Sequence, residues 1–138
     1  MINMSNAAQR IMAERFGRDS VIALATDEMG MPHVRFVNAY YEDGAFYIIT
    51  HARSAKMRQI AANARVAIAG DWFTGQGMAC DMGSFAGPQN SALAQRLMRA
   101  FSGWIDNGHT DLKDPDTIIL RVMLTQGTLL SHGTRHEF

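Results

Sequence analysis

Arg53, Ser54, Lys56 and Arg58 put one hydroxyl and three cations within residues 53–58. Such a group can hold an anion, most often a phosphate, if a helix begins there. The free backbone N–H groups of the first turn and the positive end of the helix dipole then point at the same place as the ammonium group. The flanking residues support that geometry. Phe46, Ile48 and Thr50 alternate with Tyr47 and Ile49, a β-branched and aromatic pattern of period two that reads as a strand. After it, Met57, Ile60 and Ala61 recur at helical spacing. Ser54 then falls at the N-cap, where its hydroxyl is expected to accept from a first-turn N–H. The plain alternative is a solvated helix face, since many capped surface helices carry Lys and Arg with no ligand.

The rest of the chain supplies a frame for this strand-to-helix step. Residues 5–16 carry Ala8, Ile11, Met12 and Phe16 at spacings of three and four, an amphipathic helix that Gly17 ends. Residues 20–26 form a short apolar run, read as a buried strand, and Asp27-Glu28-Met29-Gly30 as a turn. A second strand over 33–41 puts Arg35, Val37, Ala39 and Tyr41 on one face and Val34, Phe36, Asn38 and Tyr40 on the other. Asp43-Gly44 joins it as a hairpin to the strand before Ser54.

Asn63 is expected to close the short helix in a left-handed conformation. A fourth strand over 65–73, a turn at Thr74-Gly75-Gln76-Gly77 and a fifth strand over 78–85 follow. Asn90 or Ser91 caps a longer helix whose Leu93, Leu97, Ala100, Phe101 and Trp104 form an apolar stripe, and Gly108 marks its exit. A polar loop runs through Asp116, and residues 117–131 make one long β pattern. Hairpin-linked antiparallel neighbours imply a mainly β fold with helices, about six strands closed into a small barrel so that edges are removed. No linker or repeat divides residues 1–138, so a single domain is expected.

Composition narrows the function. Thirteen basic and thirteen acidic residues cancel, leaving no general electrostatic footprint for nucleic acid or an anionic membrane. The single cysteine, Cys80, allows neither an intramolecular disulfide nor a cysteine zinc site, and is read as a small buried hydrophobe. No run approaches the roughly 20 apolar residues that span a bilayer, and no signal-peptide core opens the chain, so a cytoplasmic location is expected. Five histidines, His33, His51, His109, His132 and His136, show no ligand spacing, and no metal is expected. His132 and His136 are read as part of a solvated tail. No Gly-rich loop sits in a βαβ context, and Ser84 lacks the spacing of a nucleophile elbow.

Several of these residues, in this order, resemble the pyridoxamine 5′-phosphate oxidase-like family of FMN-binding split β-barrels. Arg35-Phe36-Val37 looks like the family's Arg-x-Val segment, and Phe46-Tyr47, Thr50 and Ser54-Ala55-Lys56 like its strand-to-helix phosphate signature. Gln59-Ile60, Asn63-Ala64-Arg65-Val66-Ala67, Trp72-Phe73-Thr74 and Gly83 continue the match. The resemblance implies a homodimer with FMN at its interface. Arg35 and Lys56 would pair with the phosphate and Ser54 would add a hydroxyl. The backbone of Phe36, Val37 and Asn38 would face the ring and ribityl chain, with Thr50 and Ile49 lining the site. Ala55, Met78 and Tyr40 stand where oxidase members carry an arginine, a ring-contacting glutamine and a lysine, and Thr134-Arg135-His136 only loosely echoes their substrate motif. The likeness is therefore to the shorter relatives, general stress proteins and small flavin reductases.

Two functional classes follow from the resemblance. One is an oxidoreductase passing electrons from a nicotinamide cofactor through FMN to a small molecule or oxygen. The flavin performs that chemistry, so no catalytic side chain is nominated. The other is a protein that binds or senses a flavin, deazaflavin or haem without turnover.

Overall fold

A computed structural model describes residues 2–138. Helix α1 (Asn6–Phe16) is capped by the Ser5 hydroxyl, which accepts from Ala8 N at 3.1 Å. Strands β1 (Ser20–Glu28), β2 (Met31–Glu42) and β3 (Ala45–His51) follow, then α2 (Ala55–Ala62), β4 (Arg65–Gly70) and β5 (Phe73–Ser84). A 3₁₀ turn at Pro88–Asn90 leads into α3 (Ser91–Ala100), and β6 (Thr117–Ser131) and β7 (Thr134–Glu137) finish the chain.

Every strand pairing is antiparallel. The order β3-β2-β1-β4-β5-β6-β7 is closed by a β3–β6 ladder, giving a six-stranded barrel with β7 added beside β6. The β3–β6 ladder pairs what would otherwise be the outer edges of the sheet, leaving unpaired backbone where neighbouring ladders are short. Three hairpins turn on two residues with positive φ, Met29-Gly30, Asp43-Gly44 and His132-Gly133, the conformation that matches the twist of the flanking strands.

The barrel interior is apolar. Ile22 and Leu24 of β1, Phe46 and Ile48 of β3, and Leu120 and Val122 of β6 are buried within it. Helix α1 stops one end with Ala8, Met12 and Phe16. The Phe16 ring meets Phe46 edge-on at 5.5 Å and Phe73 at 5.7 Å, and Tyr41 meets Phe46 at 5.3 Å. Each such aromatic pair contributes roughly 0.5–1.5 kcal/mol beyond the area it buries. A second core lies outside the barrel wall. There Leu97 and Phe101 pack with Phe85, Ile105 and Ile119 against the outward faces of Tyr40, Tyr47 and Ile49. The apolar stripe after Asn90 is thus core packing.

The structure corrects several expectations. Thr74 to Gly77 is not a turn but the start of β5, and the turn is Asp71-Trp72. The two glycines face inward, where side chains have no room. A Cβ on Gly75 would stand 2.7 Å from the Phe73 ring, and one on Gly77 2.6 Å from the Met123 carbonyl oxygen. β1 is half-buried rather than buried, with Ile22, Leu24 and Thr26 inward and Val21 exposed. Ala61 of α2 faces solvent, while Gln59 joins Met57 and Ile60 on the buried side. Asn63 ends α2 with an extended backbone, φ −148° and ψ 106°, rather than a left-handed one. The Asn90 side chain does not cap α3 but donates to the carbonyls of Met82 and Ser84. Cys80 is exposed, since it shares the outward face of β5 with Met78 while Gly77 and Ala79 point in.

The C-terminal residues are not a solvated tail. β7 pairs with residues 128–131, Phe138 exchanges two backbone hydrogen bonds with Gly127, and its ring stacks on Phe73 at 6.2 Å. No helix among the described residues is long and apolar enough to cross a membrane.

Gly77→Ala is expected to destabilise the protein by about 1–3 kcal/mol, because the methyl group meets backbone that cannot yield cheaply. Thr74→Ala, on the outward face of the same strand, should stay within about 0.5 kcal/mol of wild type. Urea denaturation of both variants checks the inward placement of the glycines.

Candidate functional site

β2 carries Arg35 on its inward face, directly across from Leu24 of β1. The guanidinium cannot leave its hydrogen bonds unmade there, and the surrounding strands supply neutral partners. Nη1 donates to the Leu24 carbonyl at 3.1 Å and to the Thr26 hydroxyl at 2.8 Å, and Nη2 donates to Gln59 Oε1 at 2.9 Å. The Thr26 hydroxyl also donates to Gln59 Oε1. Lys56, in the first turn of α2, donates from Nζ to the Thr50 hydroxyl at 2.8 Å. Burial depresses the Lys56 pKa and the nearby Arg35 charge lowers it further, while burial alone lowers that of Arg35.

Arg35 thus lies close enough to Lys56 for their charges to interact, Lys56 reaches Thr50, and Ser54 stands two residues before Lys56 at the entry to α2. Ser54 occupies the N-cap position but its hydroxyl makes no bond to the first turn; Oγ is buried with no hydrogen-bond partner. A buried hydroxyl left in that state costs about 1–3 kcal/mol. The expected three-cation cluster does not form. Arg53 pairs with Asp116 at 2.9 Å and Arg58 with Glu28 at 3.4 Å, so only Lys56 is left for the site. Among the described residues, no ion pair includes Arg35 or Lys56.

The barrel is open beside this group. β2 and β3 pair only at Tyr40↔Tyr47, Tyr41↔Phe46 and Glu42↔Ala45. Beyond Tyr40, β2 continues paired to β1 and β3 continues paired to β6, but the two strands no longer pair with each other. The gap is bordered by Arg35, Phe36, Val37 and Asn38 on one side and by Ile49 and Thr50 on the other. Its β2 edge is unpaired with β3, leaving backbone N–H and C=O groups that need partners.

The side chains along the gap sort differently. Val37 packs against the barrel core. Phe36 points outward and is 79 % exposed, and Asn38 also faces out, donating to Asp19 Oδ1 at 3.0 Å. Ile49 lies beneath α3 in the outer core.

Sequence reasoning missed Thr26 and Gln59, each 3 % exposed and each bonded to Arg35. A Gln at an apolar position of an amphipathic helix is the signal that points to the second. It also missed a grouping of His51, Asp114 and Asp116, whose ligating atoms lie within 4.8 Å of one another. His51 sits 3.5 Å from Asp114, and Arg53 takes Asp116, so the two carboxylates already have cationic or ionisable partners. His132 and His136 lie on the β6–β7 hairpin, away in sequence and topology from β2 and α2.

Residues 11–130 match the family model described as Pyridoxamine 5′-phosphate oxidase. No curated protein matches the sequence. Solved structures of the same fold include an FAD-binding protein from Mesorhizobium loti, with a TM-score of 0.69 and 15% identity, covering 98% of this chain and 96% of that one. General Stress Protein 26 from Bacillus anthracis has a TM-score of 0.64 and 18% identity, covering 86% of this chain and 90% of that one. An F420 reductase has a TM-score of 0.64 and 19% identity, covering 83% of this chain and 94% of that one. At such identities the likeness is one of fold. The family match, by contrast, runs from within α1 into the last pairs of β6, through every strand of the split barrel, and the chain belongs to the pyridoxamine 5′-phosphate oxidase family.

Proposed function

We propose that this chain is a flavin-binding oxidoreductase that holds the cofactor phosphate, FMN by preference, between Arg35 and Lys56. The observation that carries this reading is the half-buried cation pair without a carboxylate, next to the partnerless Ser54 hydroxyl and opening onto the β2–β3 gap. Two cations offset the charge of one phosphate monoester, Ser54 donates to it, and the free edge of β2 at Phe36, Val37 and Asn38 faces the ring and ribityl chain. Thr50 steers Lys56, and Ile49 borders the opposite wall of the gap. When bound, the flavin supplies the two-electron acceptor for hydride from a nicotinamide donor. Of the structures with the same fold, one is described as FAD-binding and another as an F420 reductase, which favours a flavin-type ligand and keeps a deazaflavin as the second choice.

The family resemblance further implies that the whole chain acts as one flavin-binding domain in a cytoplasmic homodimer. The outward faces of β1 and β2 suit a second copy. Val21, Val34 and Phe36 are exposed there, beside a shallow cavity of about 610 Å³ lined by Ala23, Ala25, Ala67 and Ala69. Phe36 lies between Arg35 and Val37 in the chain, so a partner on this face would cover the gap.

Replacing both cations, Arg35→Ala with Lys56→Ala, should weaken FMN binding about 100-fold or more, at about 1.5–3 kcal/mol for each lost charged hydrogen bond. The variant should stay folded, and unchanged flavin content after desalting would remove the site assignment. Bleaching of bound flavin by NADH or NADPH without oxygen supports the enzyme, whereas flavin that neither donor reduces leaves a binding or sensing protein.

The depressed pKa of Lys56 sets a pH dependence. Binding a dianion favours the ammonium form, so binding takes up a proton once the free protein has lost it. FMN affinity should therefore fall as pH rises through the lowered Lys56 value, below the range in which an ordinary lysine titrates. Lys56→Arg should shift that loss to higher pH.

For the dimer, light scattering on the eluting protein should give twice the chain mass. Phe36→Glu should yield monomers that bind FMN more weakly.

A further inference from the structure

We infer that Gln59 is a positioning residue, its neutral amide holding the Arg35 guanidinium at the gap without cancelling the charge. The inference rests on the phosphate reading above but concerns a residue that touches Arg35 rather than the ligand. Gln59 is a polar side chain on the buried face of α2, 3 % exposed, and its hydrogen bonds link Arg35 and Thr26 to Glu28. Oε1 accepts from Arg35 Nη2 at 2.9 Å and from the Thr26 hydroxyl, and Nε2 donates to Glu28 Oε2 at 3.3 Å. The reverse amide orientation would set an NH₂ group against a guanidinium and a carbonyl against a carboxylate. Its polarity is therefore fixed by its neighbours.

The consequence falls on Arg35. Both Nη1 hydrogens go to Leu24 O and Thr26 Oγ1, and one Nη2 hydrogen goes to Gln59. Of the five N–H groups of a guanidinium, the ones left are on Nε and Nη2, which share one edge of the plane. That edge is the two-pronged donor that phosphate oxygens accept. All three anchors are neutral. The nearest acid in the network, Glu28, stands one link further out, where Arg58 at 3.4 Å and His33 at 3.7 Å pair with it. A carboxylate at position 59 would hold Arg35 equally well and neutralise it.

This contrast supplies the test. Gln59→Glu keeps shape and the acceptor toward Arg35 but adds the opposing charge and gives up the donor to Glu28; Gln59→Met keeps length and loses the anchor. FMN affinity, its salt dependence, thermal midpoint and the ¹⁵N side-chain spectrum of Arg35 are measured for wild type, both variants and Arg35→Ala.

Gln59→Glu should remain folded, its melting point lowered only by the repulsion between its second oxygen and Glu28, and bind FMN at least about tenfold more weakly with a flatter salt dependence, as one neutralised contact predicts. In Gln59→Met the Arg35 side-chain nitrogens should gain mobility. Wild-type FMN affinity in Gln59→Glu, with binding lost in Arg35→Ala, overturns the inference and spares the phosphate reading. If Arg35→Ala itself binds normally, the phosphate reading falls instead. The Arg35 spectrum then decides the anchoring role alone, and unchanged mobility in Gln59→Met overturns it.

Discussion

Arg35 and Lys56 repel each other and are both partly removed from water, and among the described residues no acid forms an ion pair with either of them. A fold left to its own stability would pair such groups or replace them. Here the surrounding structure sustains the arrangement with neutral hydrogen bonds: a carbonyl of β1, the hydroxyls of Thr26 and Thr50, and an amide of α2. Charge stored at the mouth of a closed apolar barrel is worth more to an incoming anion than the same charge on an open surface, because less water screens it. The Ser54 hydroxyl, buried without a partner, would be a further donor to the anion proposed there.

Holding cations apart from acids requires the acids to be occupied elsewhere, and the chain does this locally. Asp116 takes Arg53, and Glu28 takes Arg58. The run of positive charge at the start of α2 is thereby divided: two members serve as ordinary surface pairs and the third turns inward. Exposed pairs of that kind contribute about 0–1 kcal/mol each, so their effect lies in where they leave the remaining charge rather than in stability.

Much of the frame is legible in the sequence because its signals are local. The 117–131 β pattern, the Asp43-Gly44 hairpin and the helix before Gly17 depend on neighbours in the chain and appear where those neighbours put them. Gly75 and Gly77 mislead because glycine marks a turn by its backbone freedom and a crowded interior by its missing side chain, and only the position of Phe73 and β6 decides between them. Conversely, the real turn at Asp71-Trp72 places a tryptophan at φ 51°, which no turn signal predicts. The site divides the same way. Arg35, Ser54 and Lys56 stand out by type and spacing, whereas Thr26 and Gln59 matter only because folding brings them 9 and 24 residues along the chain to Arg35.

The gap between β2 and β3 raises the question of why the barrel does not simply zip shut or fray there. β3 is secured by other means. All seven of its residues pair with β6, its Phe46 and Ile48 are locked in the inner core, and its Tyr47 and Ile49 lie under α3 in the outer one. β2 is likewise held by β1 from Met31 to Ala39, with Val37, Ala39 and Tyr41 packed inward. Each strand is therefore fixed on the side away from the gap, and closing it would cost the packing of two cores to gain a few ladder bonds. A groove kept open by its far walls needs little rearrangement to admit the proposed ligand, so little of the binding energy would go into forming it.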